Sequence, residues 1–205
     1  VTVQQETGRR ERNKADKRRR IEAAARRLFA EHGYSAVTTQ EVARLADVGT
    51  GTLFRYAQSK GELLCMVANA DFRGSLEHKT LTGDPVEDLL TLTQPLVAAV
   101  DRQPENAVAY HRESLFGEPG PHRAEALTIL DGYLHAIAEV LAHSSGRADS
   151  DPEVLDAAQT VFDVVYMELV RGGVHALPAG RRADDLRRHL SRVLSGALPT
   201  LRAHA

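Results

Sequence analysis

From Lys14 onward, apolar residues return at helical intervals. Ile21, Ala24, Ala25, Leu28 and Phe29 stand at i, i+3, i+4, i+7 and i+8, a spacing that gathers side chains on one face of an α-helix. That helix should stop at His32-Gly33, because glycine can take the left-handed backbone of a C-cap. A short second helix begins at Thr38-x-x-Glu41, a capping box, and offers Val42, Leu45 and Ala46 as its buried face. A third is expected from about Thr50 to Tyr56, burying Leu53. A fourth starts at another capping box, Ser59-x-x-Glu62, and continues through Leu63, Met66, Val67 and Ala70 towards Glu77. Breaks follow at Thr82-Gly83-Asp84-Pro85, Gln103-Pro104, Gly117 to Gly120, Ser144 to Pro152 and Gly172 to Arg182. Between them lie helical segments over about 85–102 (with Pro95 expected to kink it), 104–116, 121–143, 152–171 and 183–198. No segment alternates in the manner of a strand. The reading is all-α, with about nine helices. Residues 1–13 are polar and aperiodic and read as a flexible basic tail.

Composition narrows the class. The 205 residues are 42% apolar and 26% charged, the balance of a soluble globular chain. No apolar run approaches the ~20 residues that span a bilayer, and the N-terminus lacks an apolar signal region. The single cysteine, Cys65, excludes an internal disulfide framework and a cysteine-based zinc site. The expectation is a cytoplasmic protein with no membrane partner, no metal and no cofactor.

Charge is unevenly placed. Residues 1–60 hold 13 Lys/Arg against 7 Asp/Glu, and the rest 13 against 21. A basic front and an acidic remainder suggest an anionic partner at one end only.

The stretch Thr38 to Lys60, TTQEVARLADVGTGTLFRYAQSK, supplies the candidate. A short helix stops at Asp47 and a second restarts through Gly49-Thr50-Gly51, although glycine costs about 1 kcal/mol in a helix relative to alanine. A longer helix braces the pair. This is the layout of a helix-turn-helix DNA reader, whose second helix enters the major groove and meets base edges with its N-terminal residues. Gly51, without a Cβ, lets the backbone approach a base or phosphate. Thr50 and Thr52 can bond either, and Thr39 sits in a first turn whose free N–H groups favour phosphate. Arg55, Tyr56 and Lys60 follow.

With the preceding RRRIEAAARRLFAEHGYSAV, this stretch resembles the N-terminal domain of the TetR/AcrR family of bacterial transcriptional regulators. Thr38-Thr39, Val42-Ala43, Ala46-Asp47-Val48, Gly51-Thr52-Leu53 and Ser59-Lys60 carry the likeness, over about residues 14–66. Departures stand at Asp47 for the usual turn glycine, Gly49 for a serine, Thr50 for a lysine, Phe54 for a tyrosine and Ala57 for a core phenylalanine. The resemblance implies that Thr39, Thr50, Gly51, Thr52, Phe54, Arg55, Tyr56 and Lys60 face DNA. Thr39, Tyr56 and Lys60 would take phosphates, and Thr50, Gly51, Thr52 and Arg55 would lie near bases. The basic cluster Arg9, Arg10, Arg12, Lys14, Lys17 and Arg18 is either a solvated arm or a flanking contact.

The implied organisation is a three-helix helix-turn-helix domain over 14–58, then a larger helical ligand-binding and dimerisation domain over 59–205. Its apolar stripes support a homodimer through helices 152–171 and 183–198: Leu186, Leu190, Val193, Leu194, Ala197 and Leu198 in one, Val154, Ala158, Val161, Val165 and Leu169 in the other. A second stripe on 152–171, Leu155, Phe162 and Tyr166, asks for a second buried face. The partners are then double-stranded DNA carrying an inverted repeat, a second copy of the chain and an unidentified small-molecule effector. Candidate effector contacts are Phe72, Tyr110, His111, Glu113, Phe116, Tyr133, Phe162 and Tyr166, with His135 and Met167 behind them. A repressor released by its effector is the default; an activator or an architectural DNA-binding protein is the alternative. No HExxH, Gly-x-Ser-x-Gly or phosphate-cradling loop is present, so catalysis is not expected. Cys65, beside Leu64 and Met66, reads as a buried thiol rather than a sensor.

Overall fold

A computed structural model describes residues 2–76, 81–174 and 180–203. Among these lie nine helices and no strand. They are α1 Thr2–Ala36, α2 Thr39–Leu45, α3 Thr50–Leu53, α4 Lys60–Leu76, α5 Pro85–Arg102, α6 Pro104–Phe116, α7 Pro121–Ser145, α8 Pro152–Val174 and α9 Arg181–Ala203. None is long and apolar enough to cross a membrane. The expected end of α4 at Glu77 lies outside the described residues.

The helix starts follow local chemistry. Proline occupies the first turn of α5, α6 and α7, where a missing N–H costs nothing. Asp84 caps α5 by accepting from the amides of Val86 at 2.9 Å and Glu87 at 3.3 Å. Asp88, itself buried, accepts from the Thr82 and Gly83 amides and the Thr82 hydroxyl, and those bonds hold its carboxyl below the usual carboxylate range even though burial pushes the other way. At the front of the chain the expectation of an irregular tail over 1–13 is corrected, since α1 already runs from Thr2. Gln4, Gln5, Glu6, Arg9, Arg10, Glu11 and Arg12 are good helix formers with no proline among them, so the helix propagates backwards without any apolar face.

Two cores form. The first gathers Ile21, Ala25 and Phe29 of α1, Val42 and Ala43 of α2 and Leu53 of α3. The same cluster takes in Leu63, Leu64, Cys65, Met66 and Val67 of α4, with Ala109, Tyr110 and Ala126 from α6 and α7. The second packs Leu89 of α5, Ile137 and Leu141 of α7, Val154, Ala158 and Val161 of α8, and Leu186 and Leu190 of α9, each with 1% exposure or less. Each such Leu, Ile or Val contributes about 1.5–3 kcal/mol by leaving water. The α9 stripe is thereby largely consumed inside one subunit.

The C-terminal end of α1 is clasped by other elements. The backbone breaks at Gly33, with φ 78° and ψ 165°, a region open to glycine almost alone and distinct from the left-handed C-cap expected there. Backbone groups at this end are taken up by side chains of other elements. Asn106 Nδ2 donates to Phe29 O at 2.8 Å, and Glu105 receives the Ser35 amide at 2.6 Å. Lys60 Nζ donates to the carbonyls of Tyr34 at 2.9 Å and Val37 at 3.1 Å.

Candidate nucleic-acid interface and effector cavity

The helix-turn-helix is built by short-range bonds. The capping box of α2 is complete: the Glu41 amide donates to Thr38 Oγ1 at 3.2 Å, and the Thr38 amide donates to Glu41 Oε2 at 2.8 Å. The Thr38 hydroxyl, which donates to Glu41 Oε2 at 2.8 Å, together with the Thr38 amide holds the Glu41 carboxyl below the usual range. The turn passes through Asp47 at φ 52°, the one non-glycine residue with positive φ among those described. Arg20 of α1 braces it, reaching the Asp47 carbonyl at 3.2 Å and its carboxylate at 3.1 Å. Asp thus does the work expected of the turn glycine.

Helix α3 is a single α-turn rather than the expected run to Tyr56, tightening at once through Arg55 N to Thr52 O and Tyr56 N to Leu53 O. Only Leu53 is anchored in the core. Around it, Thr39, Thr50 and Thr52 are half-buried, while Gly51, Phe54 and Arg55 are exposed. A Cβ added to Gly51 would meet nothing within 4 Å. Nothing in this subunit therefore requires glycine at that position. Arg55 rests on the Thr52 hydroxyl at 3.2 Å.

Two of the residues expected at phosphates are engaged internally. Tyr56 Oη donates to the Lys14 carbonyl of α1 at 3.2 Å. Lys60 caps the end of α1 and lies 4.4 Å from the centre of the Tyr34 ring. Its ammonium is bonded to carbonyl oxygens at the negative C-terminal end of α1, so the structure gives Lys60 a bracing position rather than a free one. Exposed cations on the N-terminal half of α1 include Arg10, Arg12, Lys14 and Arg18.

The second expected capping box is only half formed. Ser59 Oγ accepts from the Glu62 amide at 3.0 Å, but the Glu62 carboxylate turns away. Buried at 4% exposure, it receives the amides of His122 at 3.2 Å and Arg123 at 2.8 Å at the start of α7. A carboxylate is well placed at a helix N-terminus. Two turns further along α4, Asn69 is fully buried and joins three groups. Its Nδ2 donates to the His122 carbonyl at 2.8 Å and to Glu125 Oε2 at 3.1 Å, and its Oδ1 accepts from Tyr110 Oη at 3.0 Å. The His122 ring lies 2.9 Å, Nε2 to oxygen, from the carbonyl of Tyr56 just after α3. Asn69 and His122 carried no local signal in the sequence, and Glu62 signalled only a capping box.

Tyr110 is also a wall of a cavity among α4, α5, α6, α7 and α8. Six of the expected effector contacts line it: Phe72, Tyr110, His111, Tyr133, Phe162 and Tyr166. Rings run in series across it, Phe72 to Tyr110 at 5.2 Å, Tyr110 to His111 at 6.0 Å, His111 to Tyr166 at 4.8 Å and Tyr166 to Phe162 at 5.8 Å between centroids. The remaining free space is about 20 Å³, room for little more than one water-sized body. Burial pushes the His111 imidazole down to about 4, so it is neutral at pH 7. Burial likewise raises the Tyr110 and Tyr166 hydroxyls.

Four expected contacts lie elsewhere. Glu113 points back to α1 and takes the Tyr34 hydroxyl at 3.3 Å and Arg112 at 2.8 Å, being two residues on from His111 along α6 and so on another face from it. Phe116 ends α6 and is 82% exposed. His135 bonds the Asp131 carbonyl on an exposed part of α7, and Met167 is exposed on the outer face of α8. Thr93, Leu96 and Ile129 line the cavity and were not singled out, being indistinguishable from ordinary core in the sequence; Val165 and Leu169, expected in the stripe for the dimer, line it as well.

Residues 21–65 match the model of the family described as bacterial regulatory proteins, tetR family. Over 160 residues the chain is 31% identical to the HTH-type transcriptional repressor KstR of Mycolicibacterium smegmatis, covering 76% of each protein. To KstR of Rhodococcus jostii it is 29% identical over 157 residues, 76% of this chain and 72% of that one. Among solved structures, FadR of Thermus thermophilus, a TetR-family transcriptional repressor in complex with lauroyl-CoA, matches 87% of this chain and 94% of its own with a TM-score of 0.62 and 25% identity. BioQ with its natural double-stranded DNA operator matches 91% and 98%, with a TM-score of 0.64; at 21% identity the likeness is one of fold.

Proposed function

This chain belongs to the TetR family of bacterial regulatory proteins, and we propose that it is an effector-responsive transcriptional repressor that binds an inverted-repeat operator as a dimer. The observation that carries the reading is the open backbone at Gly51, flanked by Thr50 and Thr52 at the start of the second helix of the pair. A residue with no Cβ and no neighbour to avoid is explained by a surface that must come close from outside. Thr39, Thr50, Thr52 and Arg55 supply hydrogen-bonding groups around it, Phe54 offers its exposed ring to a thymine methyl or a sugar, and the exposed cations of α1 supply counter-charge. Tyr56 and Lys60 hold the short helix and the end of α1 in register for that contact.

The dimer would form on the outer face of α8 and α9. Met167, 46% exposed, and the half-buried Val164, Val193 and Ala197 are apolar groups there, rimmed by Asp163, Arg171 and Arg192. A twofold axis on this face pairs naturally with a palindromic site.

Release follows from the nearly closed cavity. Any effector larger than a water must push the rings apart, and Phe72 belongs to α4 while Tyr110 is bonded to α4 through Asn69. The strain has a short route to the DNA head, from Tyr110 to Asn69, to His122, to the backbone of Tyr56. An effector that binds the altered arrangement better than the resting one lowers operator affinity by that difference. Repressors named KstR among the relatives and lauroyl-CoA in the FadR structure support this half of the reading.

Selection of bound sequences from a random DNA pool at near-physiological salt tests the proposal. Enrichment of one inverted repeat is the expected result. Recovery of no motif, with binding that vanishes as salt rises, would overturn it and leave only counterion-driven contact.

A further inference from the structure

The chemistry of the cavity wall limits what can enter. No Lys, Arg, Asp or Glu lines it. The Thr93 hydroxyl is satisfied within its own helix by the Leu89 carbonyl at 2.8 Å, and the Tyr110 hydroxyl by Asn69. Two lining residues nonetheless carry buried polar atoms with no hydrogen-bond partner among the described residues, His111 Nδ1 and Tyr166 Oη. Their rings touch edge to face at 4.8 Å between centroids. Leaving such atoms buried and unpaired is costly, about 1–3 kcal/mol each, so a partner for them gains correspondingly.

We propose that the effector is an uncharged, predominantly hydrocarbon molecule that presents one oxygen function, a hydroxyl or a carbonyl, to His111 Nδ1 and Tyr166 Oη. The inference rests on the effector-responsive reading above and narrows it to a chemical class. A hydroxyl can donate to the imidazole nitrogen in one tautomer while it accepts from the tyrosine. A carbonyl can accept from both when Nδ1 carries the proton. A carboxylate or an ammonium would be desolvated here with no counter-charge among the lining residues, a penalty the cavity has no means to offset. The neutral imidazole is consistent with an uncharged guest. The series of rings from Phe72 to Phe162 favours a flat or alicyclic skeleton over a charged amphiphile lying wholly inside.

The test is isothermal titration of the full chain with four compounds on one skeleton: naphthalene, 2-naphthol, 2-acetylnaphthalene and 2-naphthoate, with lauroyl-CoA as a fifth. The naphthol and the ketone should bind about tenfold or more tighter than naphthalene and 2-naphthoate, as one well-placed buried hydrogen bond allows. Tyr166→Phe, which keeps the ring, should erase that advantage and leave naphthalene binding unchanged. His111→Leu, which removes the other atom, repeats the test, with circular dichroism establishing that each variant folds. Tighter binding of 2-naphthoate or lauroyl-CoA, equal binding of all four naphthalenes, or binding of none of the five overturns the assignment. So does a Tyr166→Phe variant that keeps the wild-type ranking, which would leave the two atoms to a buried water only. DNA selection is read separately. A protein that enriches an inverted repeat yet fails these titrations loses the ligand class and keeps its operator; the converse outcome sinks the DNA reading.

Discussion

Truncating Asn69 to alanine should cost far more than its size suggests. The side chain is fully buried and makes three hydrogen bonds, to the His122 carbonyl, to Glu125 and from Tyr110. Each neutral bond is worth about 1 kcal/mol net and the one to a carboxylate somewhat more, while Tyr110 Oη is left buried with no partner. The expected loss is roughly 3–5 kcal/mol, a large share of the 5–15 kcal/mol that holds an ordinary domain. For a chain of this length that corresponds to a fall of roughly 6–20 °C in melting temperature, at about 2–4 °C per kcal/mol. Urea denaturation at one fixed protein concentration, followed by circular dichroism, measures it. Tyr110→Phe removes one bond only and should cost about 1–2 kcal/mol. The double variant should fall short of the sum by about 1 kcal/mol, since the second change has less left to remove. A loss below about 1 kcal/mol for Asn69→Ala, or strict additivity with Tyr110→Phe, would mean that the polar joint between α4, α6 and α7 is not a structural link, and the proposed route from cavity to DNA head would go with it.

Other expectations are separable from this one. Gly51→Ala should leave folding intact or stabilise it by up to about 1 kcal/mol, since its Cβ meets open space and alanine is the better helix former, while operator affinity falls in a competition assay; unchanged affinity would remove the close-approach argument. Acid should destabilise the protein through His111 in a defined window. Its imidazole is neutral in both folded and unfolded chains above about pH 6.5. Below that, the unfolded chain takes up a proton that the folded cavity refuses until about 4. Stability therefore drops by ~1.4 kcal/mol per pH unit, about 3 kcal/mol in all, and a His111→Leu variant should lack that slope; identical slopes between pH 6.5 and 4.5 would refute it. Cys65, 1% exposed and with its thiol pushed up to about 12 by burial, should resist a thiol-specific disulfide reagent until the chain unfolds, and rapid reaction of the folded protein would return a redox role to consideration.

Sequence alone revealed what is written in neighbouring residues. The capping box at Thr38, the helix starts at Pro85, Pro104 and Pro121 and the turn at Asp47 each depend on a few adjacent positions, and all appear in the structure. The helix-turn-helix was legible for the same reason. Pairings across the fold were not. Lys60 was expected at phosphate because it follows the second helix, yet its ammonium finds three carbonyls 23 to 26 residues earlier. Glu62 looks like the far half of a capping box, and only the position of α7 explains why its carboxylate goes to His122 and Arg123. Aromatic residues within the apolar helices α6 and α8 do come together in the structure, where Tyr110, His111, Phe162 and Tyr166 line one cavity. They misled at Phe116, where the helix ends and the ring meets solvent. The aliphatic lining could not be told from packing, since the same side chains do both.

The first core is closed by Leu63 to Val67 of α4 and by Ala109, Tyr110 and Ala126 from beyond it. Cut after Ala57, the helix-turn-helix would expose the apolar faces of Ile21, Phe29 and Leu53 to water and fail to hold its shape. A chimera that grafts this reader onto another sensor must therefore carry the first half of α4 and find substitutes on the recipient for the surfaces of α6 and α7. Transplanting operator preference is in that sense a problem of matching interiors, and a swap confined to Thr50, Gly51, Thr52 and Arg55 is the smaller and safer unit of exchange.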